Sequence, residues 1–119
     1  VELRADLGPA ERYRRWLRVL RGEVRVVVGT RAAAFAPVRD LGLVVLWDDG
    51  DDLLAEPRAP YCHAREVLVH RAHLEGTAVL VGGFARTAEG QLLVESGWAA
   101  ELRADREVVR ATAPRVVGT

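Results

Sequence analysis

Four carboxylates crowd five positions, Asp48-Asp49-Gly50-Asp51-Asp52, directly after an apolar run. Such a loop could hold Ca²⁺ or Mg²⁺ weakly, because hard cations take oxygen ligands. Its spacing matches no dedicated cation loop, and a solvated acidic turn after a buried strand is the preferred reading. His63, His70 and His73 fall along one predicted helix, with Cys62 at its start. His70 and His73 at i, i+3 could ligate a metal, but Cys62 is the one further ligand near in sequence, so capping or surface histidines are expected and no metal site is assigned. Cys62 and His63 are adjacent at a helix start and do not face each other, which leaves a nucleophile–base pair unsupported. Gly29-Thr30-Arg31 ends another apolar run. A hydroxyl, a guanidinium and free backbone N–H groups at a strand end make a sequence-neutral phosphate site. The alternative is that Arg31 pairs locally with Asp48 or Asp49.

The elements that must position these groups alternate. Gly8-Pro9 opens a helix over Pro9–Arg21, with Glu11 in its first turn and Gly22 as its stop. Tyr13, Trp16, Leu17 and Leu20 recur at i, i+3, i+4 and i+7, one helical face, which places Trp16 in the core. Val24–Val28, Leu43–Leu46 and Val79–Val81 are short β-branched runs, each flanked by Gly. Continuous runs of this kind suit strands buried on both faces, hence a parallel sheet covered by helices. A second helix is expected over Tyr61–Glu75, after Pro60 and before Gly76, and a third from about Thr87 to Glu95. Trp98–Leu102 and Glu107–Thr112 read as short strands. The expected core is Leu17, Leu20, Val26, Val28, Val44, Leu46, Val67, Leu68, Leu80 and Val81. Strand, helix, strand, helix is the α/β pattern, whose ligands lie at the carboxyl ends of the strands. Three ends therefore matter: Gly29-Thr30-Arg31, Trp47 to Asp51, and Gly82-Gly83-Phe84-Ala85-Arg86.

The 119 residues suit one domain. Half are hydrophobic and 29% are charged, which excludes a disordered tail. No apolar run approaches the ~18 residues of a membrane span. The charged start, Val1-Glu2-Leu3-Arg4-Ala5-Asp6, does not read as a signal peptide, and the missing initiator Met predicts a piece of a longer chain. One cysteine rules out an internal disulfide framework or a multi-cysteine zinc site. Every Lys/Arg position is Arg, and Lys, Ile, Met and Asn are absent, as GC-rich codons would give. The net charge is zero but unevenly spread: Val1–Arg31 holds eight Arg against four acids, net +4, and Arg39–Glu56 one Arg against six acids, net −5. Each stretch suits a solvated face, yet a dipolar domain is also a candidate for an oriented partner.

Specific strings carry a resemblance. Gly22-Glu23-x-x-Val26-Val27-Val28-Gly29-Thr30-Arg31-Ala32-Ala33-Ala34-Phe35-Ala36-Pro37, Leu41-Gly42-Leu43-Val44-Val45-Leu46, His63-Ala64-Arg65-Glu66 and Arg71-Ala72 resemble the first helicase lobe of the PriA family (primosomal protein N′) of replication-restart helicases. The match runs from about Gly8 to Leu102. It implies an α/β fold, part of a RecA-like (P-loop NTPase-type) helicase lobe of three layers with a mainly parallel sheet. Residues 1–119 would form the C-terminal half of that lobe, ending in a linker at about 113–119. It further implies partners: replication forks, the single-stranded DNA backbone at Thr30 and Arg31, and other primosome or replisome proteins. The resemblance also implies a cytoplasmic, nucleoid-associated setting, with no membrane partner. The family's full-length proteins use ATP with Mg²⁺ and carry a cysteine-rich zinc module; no cofactor is assigned to this chain.

The chain departs from the family where ATP chemistry would lie. Active members carry Asp-Glu-Glu-His after the second strand, with Asp on Mg²⁺ and Glu activating water. Aligned on Leu41-Gly42, the Asp position is Trp47, the Glu positions are Asp48 and Asp49, and the His position is Gly50. Asp48 is one methylene short, and a shift of about 1 Å in a catalytic group can cost ~10²-fold. Gly-Ser-Ala-Thr-Pro, which couples hydrolysis to DNA movement, reads Gly82-Gly83-Phe84-Ala85-Arg86, without either hydroxyl. The family's phosphate loop needs a Lys, so it cannot lie in this chain and its place would be upstream of Val1. The family's aromatic-rich loop reads Leu53 to Tyr61, with Tyr61 its sole aromatic. This pattern resembles the degenerate, helicase-inactive PriA-like branch of high-GC Gram-positive bacteria. A non-catalytic DNA-binding scaffold is expected; an active 3′–5′ helicase of superfamily 2 with divergent motifs is the alternative. An interaction domain unrelated to DNA would require an accidental match.

Overall fold

The computed structural model describes residues 1–58 and 60–115, which divide into two compact units, Val1–Thr87 and the residues from Ala88 onward. In the first unit, helix α1 (Pro9–Leu20) starts at the expected proline, with Glu11 in its first turn and Arg18 in its last, both suited to the helix dipole. Its buried face is rotated from the expected stripe. Val19 is fully buried, Trp16 and Leu17 are half-buried, and Tyr13 and Leu20 face solvent. Val19 packs with Leu3 and Ala36, and Trp16, Val24, Val27 and Val38 close around them.

The strands form two separate parallel ladders. β1 (Glu2–Leu3) pairs with β2 (Val28–Gly29), and β3 (Leu43–Trp47) pairs with β4 (Ala78–Gly82). The register sets Leu43 opposite Ala78 and Trp47 opposite Gly82. The second and third expected strands are present and parallel. The first is a correction: of Val24–Val28, Val28 alone is in a strand, and the expected single three-stranded sheet is two two-stranded ones. A ladder is as long as its partner, and β1 offers two residues. Val26 and Val28 are accordingly exposed, at 67% and 63%.

β3 is buried on alternate residues, not on both faces as expected. Val44 and Leu46 are covered; Leu43, Val45 and Trp47 are open, and Leu80 of β4 is 43% exposed. Of the expected core, Leu20, Val26, Val28 and Leu80 are thus exposed, Val44 and Leu46 are buried, and Leu17, Val67, Leu68 and Val81 are half-buried. Helix α2 (Ala64–Glu75) packs on β3 and β4. It starts three residues later than expected, because an antiparallel bridge from Ala55 to His63 keeps the preceding segment extended. Gly76, at φ 65°, closes it.

The second unit contains α3 (Ala88–Glu95), near its expected bounds and closed by Gly97 at φ 76°, and α4 (Arg106–Thr112). α4 corrects the strand expected over Glu107–Thr112. Glu107 in its first turn and Arg110 in its last suit the helix dipole, and this outweighs the β-branched Val108 and Val109. Trp98–Leu102 forms no strand. The expected linker at 113–119 has no regular structure over 113–115, and 116–119 lie outside the described residues. No helix among the described residues is long and apolar enough to cross a membrane.

Candidate functional site

The end of β2 is built on a close approach. A Cβ on Gly29 would stand 2.1 Å from the Leu3 carbonyl oxygen and 2.7 Å from the Ala33 Cβ. This contact sets Thr30 at the start of a short 3-10 helix, Arg31–Phe35. Thr30 is exposed and its side chain makes no capping hydrogen bond. Arg31 is engaged, but not by Asp48 or Asp49. Its Nε lies 3.2 Å from Glu56 Oε2, and its Nη1 donates to the Leu53 carbonyl at 3.2 Å.

Glu56 serves two arginines at once, because Arg58 Nε donates to its other oxygen at 2.8 Å. That bond, opposed by desolvation and supported by the charges of Arg58 and Arg31, holds the Glu56 carboxyl below the usual carboxylate range; it also pushes Arg58 up. The Arg58 guanidinium stands 5.7 Å from the Tyr61 ring centroid, within cation–π range. Beside this chain lies a cleft of about 230 Å³, whose apolar walls include Phe35, Tyr61, Ala64 and Val67.

The ends of β3 and β4 bring the segment from Trp47 and the segment from Gly82 into contact. Trp47 and Phe84 meet edge to face, with ring centroids 5.5 Å apart and planes at 87°. Gly82 admits the indole, since a Cβ there would lie 3.1 Å from Trp47 Cε3. Asp48 continues the ladder by donating its N–H to the Gly82 carbonyl at 2.7 Å, then turns the chain at φ 55°. After that turn the acids diverge. Asp49 points inward and is buried, Asp51 accepts from the Leu53 N–H at 2.9 Å, and Asp52 is exposed. Among the described residues no three His, Cys, Asp or Glu side chains converge on a cation position.

Helix α2 anchors this framework. His63 caps it, its Nδ1 accepting from the Arg65 N–H at 3.0 Å; His70, His73 and Cys62 are exposed. Arg65 Nη1 donates to Asp49 Oδ2 at 2.9 Å, with both side chains about 7% exposed or less, and the Thr87 hydroxyl donates to the same oxygen at 2.6 Å. Arg71 Nη1 donates to the Ala34 and Ala36 carbonyls at 3.1 and 2.6 Å, tying α2 to the turn after β2. The structure thus brings Arg31 to the loop that follows β3, and Trp47–Gly50 to Gly82–Arg86. Sequence reading missed Glu56, Arg58 and Phe35 as neighbours of Arg31. It also missed Arg65 and Arg71 as anchors, although both stand inside the strings that carry the resemblance.

The motif residues therefore sit at the carboxyl ends of parallel strands, in an α/β segment tied together by the buried Arg65 and the half-buried Arg71. The chain is 63% identical over 98% of its length to probable replication restart protein PriA of Mycobacterium leprae, and 62% over 98% to that of Mycobacterium tuberculosis. It is 32% identical over 80% of its length to replication restart protein PriA of Bacillus subtilis. It spans 18% of the length of the first two relatives and 12% of the third. No protein-family model matches it. The chain belongs to the PriA family of replication restart proteins, as one segment of it.

Proposed function

We propose that this chain is the C-terminal half of the first RecA-like lobe of a replication-restart protein, one that binds DNA at stalled or abandoned forks and has lost ATP hydrolysis. The observation that carries the reading is the Trp47–Phe84 contact. The two rings, both open to solvent, stand at the strand ends that the resemblance aligns with the Mg²⁺ and coupling motifs of active family members. The residues do not fit the metal: an indole has one N–H donor and no acceptor for a cation. Asp48, next to the indole, is exposed and one methylene shorter than the family's Glu, and Asp49, one residue further on, is committed to Arg65 and Thr87. Zinc, where the full-length protein carries it, belongs to another region, and the protein works in the cytoplasm at the nucleoid with DNA and primosome or replisome proteins.

Thr30 and Arg31 supply phosphate contacts in this reading. In the full-length protein, Thr30→Ala with Arg31→Ala is expected to weaken binding of forked DNA about three- to tenfold. The loss is uniform across DNA sequences, and the slope of log K against log salt falls in magnitude by about 0.7 for the one charged contact removed, that of Arg31. Fluorescence anisotropy over a salt series measures both. Unchanged affinity and slope would contradict the assignment of these two residues.

A further inference from the structure

We propose that Glu56 is an internal stand-in for a nucleic-acid phosphate: in the free protein it occupies Arg31 and Arg58, and it yields them to a phosphate of single-stranded DNA. The inference rests on the reading that Arg31 faces DNA, and adds the competitor that regulates that contact. Glu56 bridges the two guanidinium groups, one on each carboxylate oxygen, at 3.2 and 2.8 Å. Carboxylate and phosphate present the same paired-oxygen edge to an Arg fork, so they compete for the same donors. The Glu56 side chain is 17% exposed, while Arg31 and Arg58 are 39% and 77% exposed, so a ligand reaches the arginines from solvent without displacing a buried core.

The surroundings point to a nucleic acid as the competing anion. Directly beside the bridge, the cleft carries two exposed rings, Phe35 at 58% and Tyr61 at 65%, drawn from separate segments. Two cations next to exposed aromatic faces match the charge and the stacking surfaces of an unpaired nucleotide. Base stacking alone would not select an anion, and the arginines alone would not select a base; the adjacency supplies both.

Displacing an intramolecular competitor lowers apparent affinity by the fraction of time the competitor is bound. Exposed ion pairs are weak, so removing this one is expected to tighten binding only about two- to fivefold. The test is binding of an oligo-dT single strand by the full-length protein, comparing Glu56→Gln with the unaltered protein. Asp52→Asn removes the same charge from an exposed acid in the same loop, and is expected to leave affinity unchanged. Arg31→Ala should weaken binding, and combining it with Glu56→Gln should remove most of the tightening. Equal or weaker binding by Glu56→Gln, or equal tightening by Asp52→Asn, overturns the proposal. If Arg31→Ala weakens binding while Glu56→Gln does not tighten it, the DNA contact stands and only the competitor falls. If Arg31→Ala has no effect, both fall.

Discussion

Replacing Arg65 by Leu is expected to destabilise the first unit by about 3–5 kcal/mol, because it leaves the Asp49 carboxylate buried without its cation. Asp49 and Arg65 are 5% and 6% exposed, so water cannot take the place of the lost guanidinium. The Thr87 hydroxyl still donates to Asp49 Oδ2, but a neutral donor does not offset a buried charge. The readout is amide hydrogen exchange of β3 and α2 in the full-length protein, where protection is expected to fall by about two to four orders of magnitude. Coupling Arg65→Met to Asp49→Leu removes both charges and is expected to restore most of the protection, since a buried pair is worth little against apolar replacements. If the single variant loses protection no more than the double, the pair does not hold these elements together.

Gly29→Ala is expected to have the second large effect. The added methyl meets the Leu3 carbonyl oxygen at 2.1 Å, a backbone atom that cannot swing aside as a side chain can. The chain must then part β1 from β2 or rotate the turn that presents Thr30 and Arg31. Overpacking of this kind costs about 1–3 kcal/mol, and the short ladder has only two residue pairs to resist it. Weaker binding of single-stranded DNA should accompany loss of amide protection over Val28–Ala33, and affinity should fall at least as far as it does in Arg31→Ala. Gly42→Ala is the control, because nothing lies within 4 Å of a Cβ built there. Similar behaviour of the two variants would remove the argument for the close approach.

What was legible in the sequence followed the reach of each signal. α1 and α2 were plain because Pro9, Gly76 and the acid and base placement act locally. β3 and β4 were plain because their apolar runs are continuous, and their parallel pairing followed from the helix between them. The same continuity misled the burial. Leu43, Val45, Trp47 and Leu80 read as a second buried face, but burial depends on what packs there, and these residues remain open. The first strand failed for a related reason: Val24–Val27 has strand composition, yet its ladder partner is the two-residue β1, which carries no periodic signal. α4 was misread because Val108 and Val109 outweighed the dipole-matched Glu107 and Arg110.

The candidate site divides in the same way. Motif strings placed Thr30, Arg31, Trp47–Gly50 and Gly82–Arg86 at strand ends, where the structure has them. The partner of Arg31 was not legible. Asp48 and Asp49 are nearer in sequence to the motif, but the left-handed turn at Asp48 sends Asp49 inward to Arg65, and the Ala55–His63 bridge brings Glu56 to Arg31 instead. A positive φ is uncommon outside glycine, and although Asp is enriched there, four acids in one loop did not single out Asp48 as the turning residue. Nor did the two altered motifs, read separately, announce that their new aromatics touch.

ATP turnover by the full-length protein, measured with and without forked DNA, decides whether this segment supports DNA binding without ATP chemistry. No turnover above background is expected in either condition, and no change on Asp48→Ala. Turnover above about 1 s⁻¹, the low end of ordinary enzyme rates, that rises with DNA and is lost on Asp48→Ala would contradict that expectation, and would show that the shorter carboxylate beside Trp47 can still activate water.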